Sequence, residues 1–460
     1  MTETLGNREA AIFETMSVPK AVASLAIPTI ISQLVTIIYN LADTWYIGQT
    51  GDTNQVAAVT IAYPVFMTMT AIANLFGIGG GSLISRSLGA KDYDKAKCTS
   101  AFSFWAAIIV TLLISICAAC TRAPLLTLLG ADESTLAFCS DYVLWVVIIG
   151  GIPTVLNMLL AHLVRAVGAS KQASIGMSLG GILNVILDPI FIFQWGFGMN
   201  VAGAALATCI SNTVATCYFL RFVLKKKNNS ILSLSPKNPI QMAAVAGPVI
   251  SIGLPSALQT FLAVVSNVVL NNLMSAYSAA AVAAVGIVKK ADLFPAYVVQ
   301  GLSNGVLPLL AYNYASGNRQ RMNKAAHFSL TVSLVFTGVC LVCYEIFAPG
   351  IVRIFIADET TISYGASFMR LHCMAMPFLS IIFLLTVLFQ AAGQSRQAMV
   401  LSLLRKGAID IPLMIIMNFI WPMMGIMSVQ PFLDFSCAVL AFYMYLMFFR
   451  NSWPANDKPL

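Results

Sequence analysis

Long apolar segments alternate with short polar breaks along the whole chain. Twelve of these segments are long enough, at roughly 20 residues each, to cross the ~30 Å hydrocarbon core of a bilayer as helices. They lie near residues 18–48, 53–85, 96–119, 137–163, 172–195, 201–224, 242–274, 282–312, 325–347, 364–391, 397–421 and 427–449. The pattern predicts an all-α polytopic membrane protein with twelve transmembrane helices.

The Lys and Arg residues of the connecting segments are distributed unevenly between the two sides of this topology. Twelve spans put both termini on one side, and nineteen Lys and Arg residues, Arg165 among them, lie in the tails and even-numbered loops. The odd-numbered loops carry two, Arg122 and Arg353. Since loops rich in Lys and Arg stay in the cytoplasm, we expect both termini to be cytoplasmic. The same bias accounts for most of the formal charge of +8, so no nucleic-acid partner is expected.

The second half of the chain repeats the first. Residues 165–168 (Arg-Ala-Val-Gly) read against residues 390–393 (Gln-Ala-Ala-Gly) at an offset of 225, and Pro28 meets Pro255 at an offset of 227. An even number of spans in each copy gives both copies the same orientation, which predicts two parallel six-helix bundles with a pseudo-two-fold axis along the membrane normal. The expected units are an amino-terminal lobe with the ion-coupling site, a cytoplasmic linker and a carboxyl-terminal lobe, at residues 1–224, 225–241 and 242–460.

Composition and motifs exclude several classes of function. With 58% apolar and 10% charged residues, and a mean hydropathy of +0.83, the chain has too few polar side chains to cover a soluble surface. No nucleotide-binding loop, zinc-binding HExxH helix or nucleophile elbow is present, so we expect no enzyme and no cofactor. Two parallel bundles joined by a linker instead suggest a transporter whose lobes rock to give alternating access.

Polar residues at membrane depth mark a candidate coupling site, because one acidic residue at the centre of a spanning helix costs ~3 kcal/mol or more. Asn184 and Asp188 are four residues apart and share a helix face. At 1.5 Å per residue, Asp43 lies ~8 Å, and Asp188 and Thr208 ~10 Å, below the outer surface. Two carboxylates at one level of a low-dielectric medium should hold a proton or a cation such as Na+ between them. Alternatively, Asp43 faces lipid headgroups or pairs only with Tyr39.

The residues that contact the cargo are less well defined by the sequence. Polar and adaptable side chains expected to line a cavity between the lobes are Tyr39, Asn40, Met67, Met158, Gln259, Asp292 and Asp410. Further second-lobe charges are Lys289, Lys290, Arg405, Lys406 and Asp434. Some of these should form ion pairs between helices, and a role in substrate contact is left open.

Several segments together resemble the multidrug and toxic compound extrusion (MATE) family, in its DinF-like and MepA-like members, over essentially the whole chain. They are residues 27–28, 39–44, 77–89, 165–168 and 184–189. The resemblance implies cation-coupled export of amphipathic, mostly cationic compounds, with the H+ or Na+ site at Asp43, Asn184, Asp188 and Thr208. The chain departs from the NorM-like members, which use acids in helices seven and ten, because residues 257–267 and 375–386 contain none.

The expected function is therefore secondary active multidrug efflux. A monomer in the bacterial inner membrane would export organic cations in exchange for H+ or Na+. One alternative cargo is a lipid-linked oligosaccharide, carried by flippases of the same superfamily, which predicts a cavity lined by Lys289, Lys290, Arg405 and Lys406. Another alternative is a membrane scaffold without transport, which would need a catalytic centre or a large extramembrane domain.

Overall fold

The computed structural model describes residues 7–225, 231–236 and 239–452, and these residues form helices and no strand. The amino-terminal lobe contains α1 (Val18–Gly48), α2 (Thr53–Gly89), α3 (Tyr93–Cys120), α4 (Leu136–Val143, Leu144–Ile149 and Gly151–Ala166), α5 (Ser170–Ile192) and α6 (Asn200–Lys225). The carboxyl-terminal lobe contains α7 (Pro239–Ser275), α8 (Ala279–Ala315), α9 (Arg319–Arg353), α10 (Glu359–Cys373 and Met376–Ala391), α11 (Ser395–Leu403, Leu404–Ala408 and Asp410–Ile420) and α12 (Met424–Ser452). The predicted all-α fold of twelve spans is confirmed.

Apolarity alone identifies most of these spans. In the described part of the chain, eight single helices are long and apolar enough to cross a membrane, and α4 and α10 qualify as bent pairs with angles of 54° and 44°. The other two, α8 and α11, carry charged residues within the helix. These are Lys289, Lys290 and Asp292 in α8, and Arg405, Lys406 and Asp410 in α11. The two spans that apolarity misses therefore both carry a cluster of charged residues along the helix.

Local sequence signals explain where several helices begin. Before each of five helices, a polar side chain accepts a hydrogen bond from a backbone N–H of the first turn. These residues are Asp52 before α2, Asp92 before α3, Ser278 before α8, Asn318 before α9 and Asp358 before α10. These N–H groups have no partner within the helix, so a side-chain cap stabilises the start of each helix.

Equivalent glycines allow equivalent turns in the two lobes. Gly168 follows α4 with φ +85°, and Gly393 follows α10 with φ +76°, a backbone conformation that favours glycine. The two positions are 225 residues apart (393 − 168). The helix contacts also correspond, because α1 packs on α5 as α7 packs on α11, and α5 packs on α6 as α11 packs on α12.

The two lobes touch through α2 with α7 and through α1 with α8. Glycines permit this approach: a Cβ on Gly253 would lie 2.6 Å from the carbonyl carbon of Leu75, and a Cβ on Gly305 would lie 2.8 Å from the Cα of Ala26. We call the side of the molecule that holds the amino end of α1 and the carboxyl end of α2 the terminus side. Both contacts lie in the half of the molecule nearer that side. The lobes are therefore closed on the terminus side.

A short helix, Asn7–Glu14, lies on the terminus side and contacts both lobes. The ring of Phe13 stacks on Tyr312 of α8 with centroids 4.8 Å apart, and it also packs against Gly168 of the amino-terminal lobe. Arg321 of α9 donates from Nε to the carbonyl of Phe13 (2.8 Å) and from Nη2 to the carbonyl of Ile12 (2.9 Å). These carbonyls belong to the last turn of the helix, where intrahelical partners are missing.

Candidate functional site

A cavity of 380 Å³ lies between the two lobes. Residues of α1, α2, α4, α5 and α6 line it from one lobe, and residues of α7, α8 and α10 line it from the other. Of the residues predicted to line it, the cavity contains Tyr39, Asn40, Met67, Met158 and Gln259. A cavity between two lobes is where a transported compound would bind if the lobes opened in turn to the two sides of the membrane.

The lining is dominated by uncharged polar side chains. Its eleven carboxamides are those of Gln33, Asn40, Asn74, Asn157, Asn184, Asn212, Gln259, Asn267, Gln300, Asn304 and Gln390. No Asp or Glu is among the described residues that line the cavity. A cationic compound would therefore meet carboxamide and hydroxyl oxygens and the faces of aromatic rings, which attract cations through their quadrupoles.

A buried polar cluster borders the cavity in the amino-terminal lobe. Asn184 and Asp188 are 2% and 0% exposed, and the Nδ2 of Asn184 donates to the Oδ1 of Asp188 (3.0 Å) and to the Oγ1 of Thr208 on α6 (3.2 Å). Asp43 is brought close by the packing of α1 on α5, and its carboxylate interacts electrostatically with that of Asp188. The one-turn spacing on α5 and the neighbouring α6 thus assemble amide, hydroxyl and carboxylate groups from three helices.

Three oxygens of this cluster are buried without a hydrogen-bond partner among the described residues: the Oδ1 of Asp43, the Oδ1 of Asn184 and the Oδ2 of Asp188. A buried acceptor left unsatisfied costs about 1–3 kcal/mol, and more for a charged group. A proton or a small cation with oxygen ligands would satisfy these atoms. No group of three or more His, Cys, Asp or Glu side chains that could hold a metal ion occurs within residues 7–225, 231–236 and 239–452. The donor set suits H+ or Na+ chemistry.

A family model, MatE, matches residues 28–190 and again residues 255–428, which together cover most of the chain. The chain belongs to the MatE family. It is 34% identical over 429 residues to the multidrug export protein MepA of Staphylococcus saprophyticus subsp. saprophyticus, covering 93% of this chain and 94% of that protein. It is 32% identical, with the same coverage, to MepA of Staphylococcus aureus strain MRSA252.

Solved structures of MATE transporters share the fold. A multidrug resistance MATE family transporter of the MOP superfamily in an outward-facing conformation has a TM-score of 0.89 at 22% identity, with 97% of this chain and 98% of that chain covered. A variant of the Vibrio cholerae MATE transporter VcmN has a TM-score of 0.88 at 22% identity, with 95% and 98% covered. This MatE chain is accordingly a membrane transporter and not an enzyme.

Two predicted cavity residues of this MatE transporter lie elsewhere. Asp292 and Asp410, which were predicted to line the cavity, are not among its lining residues in this structure. Asp292 pairs with His372 of α10 (3.3 Å), and Asp410, which is 2% exposed, accepts a hydrogen bond from the hydroxyl of Ser266 on α7 at 2.5 Å. Both acids are held by neighbours within the carboxyl-terminal lobe, and their own helices direct them into that lobe.

Three further charged residues of the carboxyl-terminal lobe, Arg405, Lys406 and Asp434, also bond within it. Arg405 donates from Nε and Nη2 to the two carboxylate oxygens of Asp434 (2.9 and 3.2 Å), and Lys406 donates to the Oε1 of Gln430 (2.8 Å). Gln430 in turn donates to Asp434 (2.8 Å). This network joins the π-helical turn Leu404–Ala408 of α11 to α12. An oligosaccharide cargo was predicted to contact Lys289, Lys290, Arg405 and Lys406, and none of these four residues lines the 380 Å³ cavity.

The sequence analysis missed several residues of the site. Tyr142 of α4 is buried and lies near enough to Asp43 and Asp188 to interact with both carboxylates. Arg165, counted above as a loop residue, is 4% exposed near the end of α4 and lines the cavity. Depth counting could have found Tyr142. For Arg165 the only signal was its place in the repeated segment, where the second copy has a neutral residue, Gln390.

Hydrogen bonds between the lobes cross the cavity region. The Nε2 of Gln33 on α1 donates to the Oε1 of Gln300 on α8 (3.1 Å), and the Nδ2 of Asn74 on α2 donates to the Oγ1 of Thr260 on α7 (3.2 Å). All four side chains also line the cavity. A rocking motion of the lobes would break these bonds, so they couple the shape of the cavity to the lobe arrangement.

Proposed function

We propose that this chain is a secondary active multidrug exporter that exchanges organic compounds, cations included, for H+ or Na+ by alternating access. The observation that carries the proposal is the buried cluster of Asp43, Asn184, Asp188 and Thr208, with its three unsatisfied oxygens, beside a cavity between two lobes. The names of the MepA relatives, multidrug export proteins, support the choice of cargo.

The proposal includes an orientation and a division of the chain. Both termini lie in the cytoplasm of a bacterium and the monomer sits in its inner membrane, so closure on the terminus side corresponds to an outward-open state. Residues 1–224 form the ion-coupling lobe, 225–241 the linker and 242–460 the second lobe. Within the linker, Lys226, Lys227 and Lys237 lie outside the described residues.

Coupling would act through the contacts of α1 with α5. A proton or Na+ that reaches Asp43 and Asp188 removes the repulsion between two carboxylates and satisfies their free oxygens, which favours close packing of α1 on α5. Because Asn184 and Thr208 line the cavity as well, the same event changes the surface that the cargo touches. An ion that binds one lobe arrangement better than the other shifts the population toward it.

Efflux from proteoliposomes tests this proposal. Purified protein should drive ethidium efflux under an imposed pH gradient or sodium gradient, and the gradient that works identifies the coupling ion. Asp43→Asn and Asp188→Asn should abolish gradient-driven efflux. Asp410→Asn is the matched control for Asp188→Asn, since Asp410 is about as buried as Asp188 but lies outside the cluster and the cavity. Wild-type efflux rates in both cluster variants, at equal amounts of reconstituted protein, would refute the proposal.

The four basic residues on which the oligosaccharide alternative was based, Lys289, Lys290, Arg405 and Lys406, do not line the cavity. That alternative predicts loss of cell-envelope glycan with unchanged drug sensitivity when the gene is deleted. Export of drug-like compounds predicts the reverse pattern.

A further inference from the structure

Arg165 places a positive charge at the closed end of the cavity. It lies near the carboxyl end of α4, which ends at Ala166. Gly168, three residues after Arg165, contacts the helix Asn7–Glu14. Arg165 is 4% exposed, yet it belongs to the cavity lining. The guanidinium therefore faces the space between the lobes from the terminus side.

Within the described part of the chain, this guanidinium has one hydrogen-bond partner and no carboxylate partner. Its Nη2 donates to the thioether sulfur of Met177 on α5 (2.8 Å), and its Nε is buried without a hydrogen-bond partner. A thioether is a weak acceptor, whereas a guanidinium carries five N–H donors and keeps its charge in proteins. A buried cation without a counter-charge is strongly destabilised, so the site as it stands is incomplete.

The surroundings offer no carboxylate to complete it. None of the described residues that line the cavity is Asp or Glu, and Arg165 makes no ion pair among residues 7–225, 231–236 and 239–452. The chain treats its other fully buried arginine differently, because Arg405 is bound through two nitrogens by Asp434. Because Arg165 lines the cavity, a molecule that enters the cavity can supply this missing counter-charge.

From these observations we propose that Arg165 binds the carboxylate of exported compounds that carry one, and that this side chain determines how tightly the cavity binds carboxylate-bearing amphiphiles and zwitterions relative to cations. The planar guanidinium matches a carboxylate through two parallel hydrogen bonds. Met177, which contacts Arg165, precedes Asn184 by seven residues on α5, or about 10 Å at 1.5 Å per residue. A zwitterion of that length would place its anionic end on Arg165 and its cationic end near the carboxamides and rings of Asn184 and Tyr39.

The inference rests on the proposed export function for its cargo, but equilibrium binding tests it without any gradient. The probes are tetramethylrhodamine, which carries a free carboxylate, and its methyl ester, a cation with the same ring system. Fluorescence anisotropy with the full-length protein in nanodiscs measures both dissociation constants. Wild-type protein should bind the free acid more tightly than the ester, and this comparison needs no variant.

Variants then assign the effect to one side chain. Arg165→Gln should weaken binding of the free acid by about 10- to 100-fold, the usual worth of hydrogen bonds to a charged group, and change binding of the ester less than about threefold. Arg165→Lys should lie between Arg165→Gln and wild type for the free acid. Arg86→Gln is the matched control: two guanidinium nitrogens of Arg86 are buried without partners, but Arg86 does not line the cavity.

Three results would overturn the inference: wild-type protein that binds the ester at least as tightly as the free acid, equal loss of both probes in Arg165→Gln, or an equal selective loss in Arg86→Gln. Failure of gradient-driven efflux with intact selective binding would instead count against the proposed export function alone. The two proposals therefore fail in distinguishable ways.

Discussion

The contact between the lobes at Gly253 gives a sharp prediction about conformational equilibrium. A Cβ added to Gly253 of α7 would lie 2.6 Å from the carbonyl carbon of Leu75 and 2.9 Å from its Cα. Carbon atoms in contact prefer separations of about 3.5–4.0 Å, so α2 and α7 must move apart by roughly 1 Å at this point. The backbone of Leu75 cannot rotate away as a flexible side chain could.

The added methyl group should raise the free energy of the arrangement in which the terminus side is closed. Forcing an extra methyl group into a well-packed contact costs about 1–3 kcal/mol. At 1.4 kcal/mol for each factor of ten, Gly253→Ala should shift the equilibrium toward an open terminus side by about 5- to 150-fold. Gly247→Ala on the same helix is the matched control, because a Cβ at Gly247 meets nothing within 4 Å.

Distance measurements between spin labels check this prediction. Labels on Lys95 in the amino-terminal lobe and Gln320 in the carboxyl-terminal lobe report the opening of the terminus side, because both side chains are exposed there. The background should lack the four exposed cysteines, Cys117, Cys120, Cys217 and Cys343. Gly253→Ala should show a longer-distance population, and Gly247→Ala should match the parent. A folded Gly253→Ala protein with the parent's distances, or a Gly247→Ala protein with the same shift, would refute the reasoning.

Two further predictions concern other contacts. Arg405→Gln leaves the Asp434 carboxylate buried without its counter-charge, so it should lower the free energy of unfolding by about 3–5 kcal/mol. The double variant Arg405→Gln, Asp434→Asn should recover part of this loss. Thermal unfolding in detergent measures both variants, and effects of the two substitutions that simply add would contradict the pairing. Arg321→Gln removes two hydrogen bonds to the carboxyl end of the helix Asn7–Glu14; hydrogen exchange in that helix should become faster, whereas it should not in Lys324→Gln, an exposed control on the same helix as Arg321.

The number and type of helices were predictable because a bilayer imposes a length and an apolar composition on each span. Predicted and observed bounds differ by a few residues at most spans, for example 53–85 against Thr53–Gly89. What apolarity did not predict were the breaks. The 54° bend of α4 lies at Gly150, directly after the π-helical segment Leu144–Ile149. Gly150, Gly151 and Pro153 mark this place in the sequence, but an apolar count does not register them.

The site divides in a similar way. Asn184 and Asp188 share a face because their spacing equals one helical turn, a local property that sequence conveys. The hydrogen bond to Thr208 matches the depth estimate, and the coupling role of this cluster stays a prediction. The sequence could not show that Asp292 and Asp410 lie outside the cavity lining, because depth says nothing about the direction in which a side chain points around its helix.

The sequence by itself determined the class of protein, the twelve spans, the repeat and the depth of the first-lobe acids, since each follows from local period, composition or self-similarity. Only the tertiary structure decided which polar groups face one another across the lobes. It gave the acids of the carboxyl-terminal lobe partners within that lobe, left the cavity without a carboxylate and placed Arg165 at its closed end. Pairing of buried charges depends on the rotation and packing of helices far apart in the chain, and that information is not local.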